Sequence, residues 1–333
     1  MIRIGIIGAG AWGTALSMVA ARAGRDVVIQ AREGDVVDAI NTEHENPVFL
    51  AGVFLDPAIR ATTEVKEAAM GADAVLLVVP SQFMRTAIGG LKGELGNGVP
   101  VVICTKGVEK TSHALMSEIV EEVLPGTPIA ALSGPTFAAE VAADLPTAVT
   151  LACADADKAV QLSDALGTSR FRAYRSDDII GAQIGGAVKN VLAIGCGIVE
   201  GRGLGDNARA ALITRGLAEI VRLGGAKGAK AETLMGLCGI GDLVLTCNAM
   251  QSRNFSLGVG LGRGETLEDI TSARTSVAEG VSNASSVSKL AGTLNIDMPI
   301  CLAVDEILNH GADIDATIGG LLSRPVTVEA GDG

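Results

Sequence analysis

Arg3-Ile4-Gly5-Ile6-Ile7-Gly8-Ala9-Gly10-Ala11-Trp12-Gly13-Thr14-Ala15 decides the fold. An Ile-rich run with the character of a strand ends in G-x-G-x-x-G, and a helix-compatible segment follows to Ala23. Each glycine answers a need in that context. Gly8 makes the tight turn, Gly10 lets a pyrophosphate approach the backbone, and Gly13 lets helix and strand pack closely. The helix N-terminus then turns its unpaired N–H groups toward negative charge. The stretch therefore predicts a dinucleotide site on the first βα unit of a doubly wound sheet.

The pattern repeats outward from this turn. Short β-branched runs recur at Asp26–Gln30, Ala74–Pro80, Val99–Thr105, Ile129–Ser133, Thr147–Ala152 and Arg170–Arg175. Helix-compatible segments such as Ser81–Leu91 and Ser112–Val123 lie between them. Runs without in/out alternation are buried on both faces, and helical crossovers make such a sheet parallel. The alternation stops near Ser176. Beyond Asp178 the chain reads as successive helices, with Asp206 or Asn207 as the cap of one of them. The expectation is an α/β fold: a Rossmann-type, doubly wound, mainly parallel sheet over residues 1–177, then an all-helical domain over 178–333.

Composition narrows the class. The 333 residues are 48% hydrophobic and carry a net charge of −12, which argues against nucleic acid as a partner. The longest apolar stretch, Ile179–Val199, holds Gln183, Lys189 and Asn190. A charge in mid-span is costly in lipid, so this stretch is expected to be a helix buried in protein, not an integral membrane segment. The N-terminus enters a strand with no signal-peptide organisation, and a cytoplasmic protein is expected. Six cysteines without C-x-x-C spacing read as buried, reduced thiols. The three histidines, His44, His113 and His310, lie away from strand ends, so no metal site is expected and acid/base chemistry falls to Lys, Asp or Glu.

Several segments could carry that chemistry. The second strand ends in Gln30, with Arg32 and Glu33 just beyond. A guanidinium there suits the 2′-phosphate of NADPH, while Glu33 keeps NADH open. Lys106 ends one strand, and Ser133-Gly134-Pro135-Thr136-Phe137 ends another. Ligands of open α/β sheets sit at that edge, although a solvated lysine is equally compatible. Lys189 lies in an apolar helix, where burial lowers an ammonium pKa toward the range of an acid/base group. Periodicity alone favours a structural lysine, either snorkelling or paired with a carboxylate. Gly239-Ile240-Gly241-Asp242 holds one carboxylate among glycines, and Ser252-Arg253-Asn254 groups donors suited to a phosphate. Each could also be a cap or a turn.

Taken together, these segments resemble NAD(P)-dependent glycerol-3-phosphate dehydrogenase of the bacterial type, over nearly the whole chain. The carriers are GAGAWGTA at 8–15, ICTKGV at 103–108, SGPTFAAEV at 133–141 and KNVLAI at 189–194. GDNARAALITRG at 205–216, GIGDLVLT at 239–246, SRN at 252–254 and AEGV at 278–281 complete the set. The resemblance implies reversible reduction of dihydroxyacetone phosphate to sn-glycerol 3-phosphate, feeding glycerophospholipid synthesis, with NADP(H) or NAD(H). It implies that Lys189 donates and accepts the proton. Lys106, Gly134, Thr136, Asp242, Ser252, Arg253 and Asn254 would hold the small phosphorylated substrate. Gly8, Gly10, Ala11, Trp12, Gly13, Arg32, Phe49, Lys106, Ala138, Arg253, Val277 and Glu279 would bind the cofactor. A homodimer is implied as well. Ala51 stands where the family often has proline, which bears only on local loop stiffness. The alternatives are a 6-phosphogluconate- or 3-hydroxyacid-type dehydrogenase of the same plan, and a non-catalytic NADPH sensor.

Overall fold

Ten strands form in the order of the chain: β1 (Arg3–Ile7), β2 (Asp26–Gln30), β3 (Glu45–Asn46), β4 (Leu50–Phe54), β5 (Arg60–Thr62), β6 (Ala74–Leu77), β7 (Val101–Ile103), β8 (Ile129–Ser133), β9 (Thr147–Cys153) and β10 (Phe171–Ser176). The computed structural model describes residues 1–272 and 278–326; Val277 lies outside them. Eight strands form one sheet in the order β10-β9-β8-β7-β6-β1-β2-β5, and β3 and β4 pair separately. The order reverses beside β1, which pairs in parallel with β2 on one side and β6 on the other. The crevice at the C-terminal ends of β1 and β6 is the topological switch point of the sheet. Residues alternate between the two covered faces. Ile4 and Ile6 enter one core, and Ile7 enters the other.

The sheet is parallel except at one seam, where β8 and β9 run antiparallel in the Ala130↔Cys153 register. The only helix between them is Ala138–Ala142. Five residues of helix advance the chain about 7.5 Å, too little to carry it back to the strand starts. The chain therefore re-enters the sheet from the edge it has just left. Neither the edge strand β5 nor the β3–β4 hairpin stands out in the sequence, because both are too short to show a period.

The second half packs around the helix Ile179–Gly201, which is buried from Gly181 to Val199. It is the one helix among the described residues long and apolar enough to cross a membrane by itself, and 89% of its apolar window is buried inside the protein. Its closest partner is the helix Arg253–Gly262. Gly197 and Gly258 face each other there. A β-carbon on either would strike a backbone carbonyl of the opposite helix, Phe255 O or Ile194 O. The cap expected at Asp206 or Asn207 lies one residue earlier: Gly205 is the N-cap of Asp206–Lys227. Its φ of +88° redirects the chain as a non-glycine residue could not without strain, and Asp206 then sits in the first turn, at the positive end of the dipole. All six cysteines are buried and free.

Candidate active site

The glycine-rich turn is built for an anion. Gly8 adopts φ +107°, and a β-carbon on Gly13 would collide with the Gly8 carbonyl oxygen. Gly10 is the N-cap of the helix Ala11–Arg22 and no side chain caps that helix, so its first N–H groups are not consumed by the protein. Asn46, wholly buried, donates through Nδ2 to Ala9 O and to Thr14 Oγ1, both at 2.8 Å. It pins the turn from the hairpin, and the sequence reading missed it. Its sequence signal is only one Asn in a loop rich in polar residues. Ala11, Trp12, Phe49 and Ala138 lie half-buried against one face of the sheet core. The Trp12 indole N–H is buried without a partner. An uncapped helix start, an open Gly10 and an unpaired indole donor fit a dinucleotide.

At the end of β2, Gln30 is buried and donates to Thr63 O at 3.2 Å. The Arg32 side chain is 85% exposed and pairs with Glu33 Oε1 at 2.7 Å. The cation read from the sequence is present, with its neighbouring carboxylate as a built-in counter-ion.

Three ionisable side chains, far apart in sequence, meet between the sheet edge and the helical core. Lys106 follows β7, and its Nζ donates to Asp242 Oδ2 at 2.7 Å and to Gly134 O at 3.1 Å. Lys189 Nζ donates to Asp242 Oδ1 at 2.5 Å and to Thr246 Oγ1 at 2.8 Å. A π-helical turn, Leu237–Gly241, precedes Asp242 and sets its entry into the helix Asp242–Asn248. Such turns re-aim side chains. Asp242 is fully buried and Lys189 is 5% exposed. Burial pushes the Lys189 ammonium down to about 8, with the Lys106 charge adding to the fall and the Asp242 carboxylate opposing it. Two ammonium groups on one carboxylate leave the cluster net positive, which favours an anionic substrate. Thr246 stands one turn after Asp242 in the same helix, which brings its hydroxyl to the Lys189 ammonium.

The other expected residues lie around this cluster. Thr136 Oγ1 donates to Gly134 O at 3.2 Å. Ser252 caps the helix Arg253–Gly262 by accepting from Phe255 N at 3.2 Å. Asn254 is already engaged: Nδ2 donates to Asn190 Oδ1 and Oδ1 accepts from Gly280 N, both at 3.0 Å. Glu279 Oε1 accepts from Ser81 N at 3.3 Å. Burial raises its carboxyl above the ordinary range, against the Ser81 N–H and the charges of Arg253, Lys106 and Lys189. Among the described residues, no group of three or more His, Cys, Asp or Glu is placed to hold a metal.

Comparison with known proteins shows the family. The family described as NAD-dependent glycerol-3-phosphate dehydrogenase matches in both parts, its N-terminus over residues 3–159 and its C-terminus over 178–319. The chain belongs to that family. It is 58% identical to a protein of Rhodospirillum rubrum named glycerol-3-phosphate dehydrogenase [NAD(P)+], over 98% of this chain and 94% of that one. A protein of the same name from Caulobacter vibrioides is 54% identical, covering 98% and 99%. A crystal structure of glycerol-3-phosphate dehydrogenase from Coxiella burnetii superposes with a TM-score of 0.94 at 41% identity, covering 97% of this chain and 99% of that one. The family shares its fold more widely. A ketopantoate reductase from Ralstonia eutropha, at 17% identity, gives a TM-score of 0.61.

Proposed function

We propose that this chain reduces dihydroxyacetone phosphate to sn-glycerol 3-phosphate, reversibly, with NADPH or NADH. The observation that carries the reading is Asp242 holding Lys189 and Lys106 at 2.5 and 2.7 Å beside the C-terminal edge of the sheet. Residues 1–177 would hold the cofactor, with Gly8, Gly10, Ala11, Trp12 and Gly13 at the pyrophosphate turn. Arg32 would face the adenosine ribose, and Phe49, Ala138, Val277 and Glu279 would complete the cleft. The nicotinamide, when bound, supplies the hydride.

Residues 178–333 would supply the substrate site. Lys189 gives its proton to the alkoxide that develops at the ketone carbon, and takes it back in the reverse direction. Lys106 adds positive charge beside that oxygen, and both cations act in a site shielded from water. Asp242 keeps the two ammonium groups apart and oriented. Arg253, helped by the Ser252 hydroxyl and the helix start behind it, holds the phosphate. Asn254 reaches the phosphate only through what its two existing hydrogen bonds leave free. Gly134 and Thr136 line the substrate on the sheet side. The product would enter glycerophospholipid synthesis in the cytoplasm, and the protein would act as a homodimer.

The test is oxidation of NADPH and of NADH with dihydroxyacetone phosphate, beside the same assay run backward with glycerol 3-phosphate, 6-phosphogluconate and 3-hydroxyisobutyrate. Turnover is expected with the first substrate pair alone, and Lys189→Ala should lose most of kcat while cofactor binding survives. A near-wild-type kcat in that variant would remove Lys189 from the chemistry.

A further inference from the structure

The first turns of the helix Glu279–Thr293 touch four segments of the site. Glu279 meets Ser81, and Gly280 meets Asn254. Asn283 Nδ2 then donates to Lys106 O at 3.1 Å and to Ala187 O at 3.4 Å. Asn283 is completely buried, and its Oδ1 has no partner. The amide's orientation follows from chemistry. Both neighbours are carbonyl oxygens, so only the NH2 group can face them, and a flipped amide would set oxygen against oxygen. Gly107, next to Lys106, closes the seam from the other side. A β-carbon there would run into Ser81 Oγ and come within 2.9 Å of Asn283 Oδ1. A polar group kept in so closed a place, with its acceptor unsatisfied, costs stability. What it gains is a bridge between two backbones: one carries Lys106, and the other carries Lys189 two residues beyond Ala187.

We infer that Asn283 is a positioning residue for the reaction: its amide fixes the spacing of Lys106 and Lys189 on Asp242 by tying together the two backbones that bear them. It need not touch substrate or cofactor. The inference rests on the reading of those lysines given above, and the two fail differently. A wild-type protein without turnover would sink that reading. A wild-type protein with turnover that ignores changes at Asn283 would sink only this one.

The experiment uses the full chain with Asn283→Leu, which keeps the shape but has no donor and no charge, and Asn283→Ser, which is shorter. Thermal unfolding and NADPH binding, read from Trp12 fluorescence, are measured beside kcat, KM and the pH profile. A shift of about 1 Å at a reacting group costs up to roughly 100-fold, so kcat for dihydroxyacetone phosphate reduction should fall roughly 10- to 100-fold in Asn283→Leu while cofactor affinity stays unchanged. The pH profile should also move. Lys189 is faced by the charges of Asp242, Lys106 and Glu279 and by the Cys247 thiol. Withdrawal of the Lys106 ammonium removes the one cation among them, and the alkaline limit of the reduction should rise. Glu279→Gln beside the Asn283 variants separates the carboxylate's share, since the shift must persist with that charge gone. An unchanged kcat with an unmoved profile overturns the inference. Loss of folding or of cofactor binding in step with activity, in both Asn283 variants, overturns it too, because Asn283 would then hold the fold and not the lysines.

Discussion

Lys189 and Asp242, 53 positions apart, are joined by a 2.5 Å hydrogen bond at a point where the carboxylate is fully buried. The other oxygen of that carboxylate takes Lys106. One anion therefore serves two cations, and its loss leaves both without a hydrogen-bonded counter-charge. Asp242→Asn keeps the shape and removes the charge. Removing one partner of a buried ion pair costs about 3–5 kcal/mol, so the variant should unfold at markedly lower urea concentration. Its Lys189 pKa should fall, because the carboxylate is what opposes burial. Urea titration beside kcat at several pH values measures both. Unchanged stability would mean that the charges find other partners.

The pH dependence follows from the same cluster. Lys189 is held down at about 8 from an ordinary 10.5. Reduction needs the ammonium, so kcat/KM should be level below about 8 and fall above it. Oxidation of glycerol 3-phosphate needs the free amine, so its kcat/KM should rise through the same value. The sign for stability is separate. Between about 8 and 10.5 the unfolded lysine still carries a proton that the folded one has lost, so this group makes the fold more stable as pH rises through that window. Paired rate profiles in the two directions provide the check. Parallel limbs, both rising or both falling, would rule out a shared acid/base lysine.

Trp12 gives a direct view of cofactor binding. It is the only tryptophan in the chain and opens the helix behind the glycine-rich turn. Its indole N–H is buried and unpaired. A dinucleotide on the turn would lie close enough for the reduced nicotinamide to accept the indole's excitation energy. NADPH titration should quench tryptophan emission to a saturable limit. Trp12→Phe should bind NADPH by calorimetry with no tryptophan signal left to lose. Full emission in saturated wild-type protein would place the cofactor elsewhere.

What the sequence makes legible is what is local. Gly8 to Gly13 encodes a turn and a helix start within six residues, and the structure places both together. The apolar flanks of Lys189 announce its burial, but its carboxylate partner comes from another helix, and no spacing rule links the two. Strand direction is also unwritten. Thr147–Cys153 reads as a strand either way, and only the shortness of Ala138–Ala142 turns it antiparallel. Asn283 was findable in principle. It falls on the same helical stripe as Gly280, Ala284 and Val287, all buried, and a polar residue on an apolar stripe asks for a partner. Asn46 offered no such signal, since a polar residue in a polar loop is ordinary.

Cofactor choice turns on Arg32 and Glu33. The guanidinium is 85% exposed and its partner carboxylate 33% exposed, so water screens the pair and it is worth no more than about 1 kcal/mol. A 2′-phosphate brings two negative charges and room for two parallel hydrogen bonds, and it can draw Arg32 away from Glu33. Glu33 nonetheless competes for the cation and repels the phosphate, while it can accept from the ribose hydroxyls of NADH. Glu33→Gln should therefore raise the ratio of kcat/KM for NADPH over NADH, by roughly fivefold if the full 1 kcal/mol is recovered. The gain should shrink at high salt, because water reaches both groups. Arg32→Ala should move the ratio the other way, through KM for NADPH with kcat little changed, as expected for a contact remote from the reacting carbon. Initial rates with the two cofactors in wild type and both variants decide it. A ratio that ignores both substitutions would mean that the ribose lies away from this strand end.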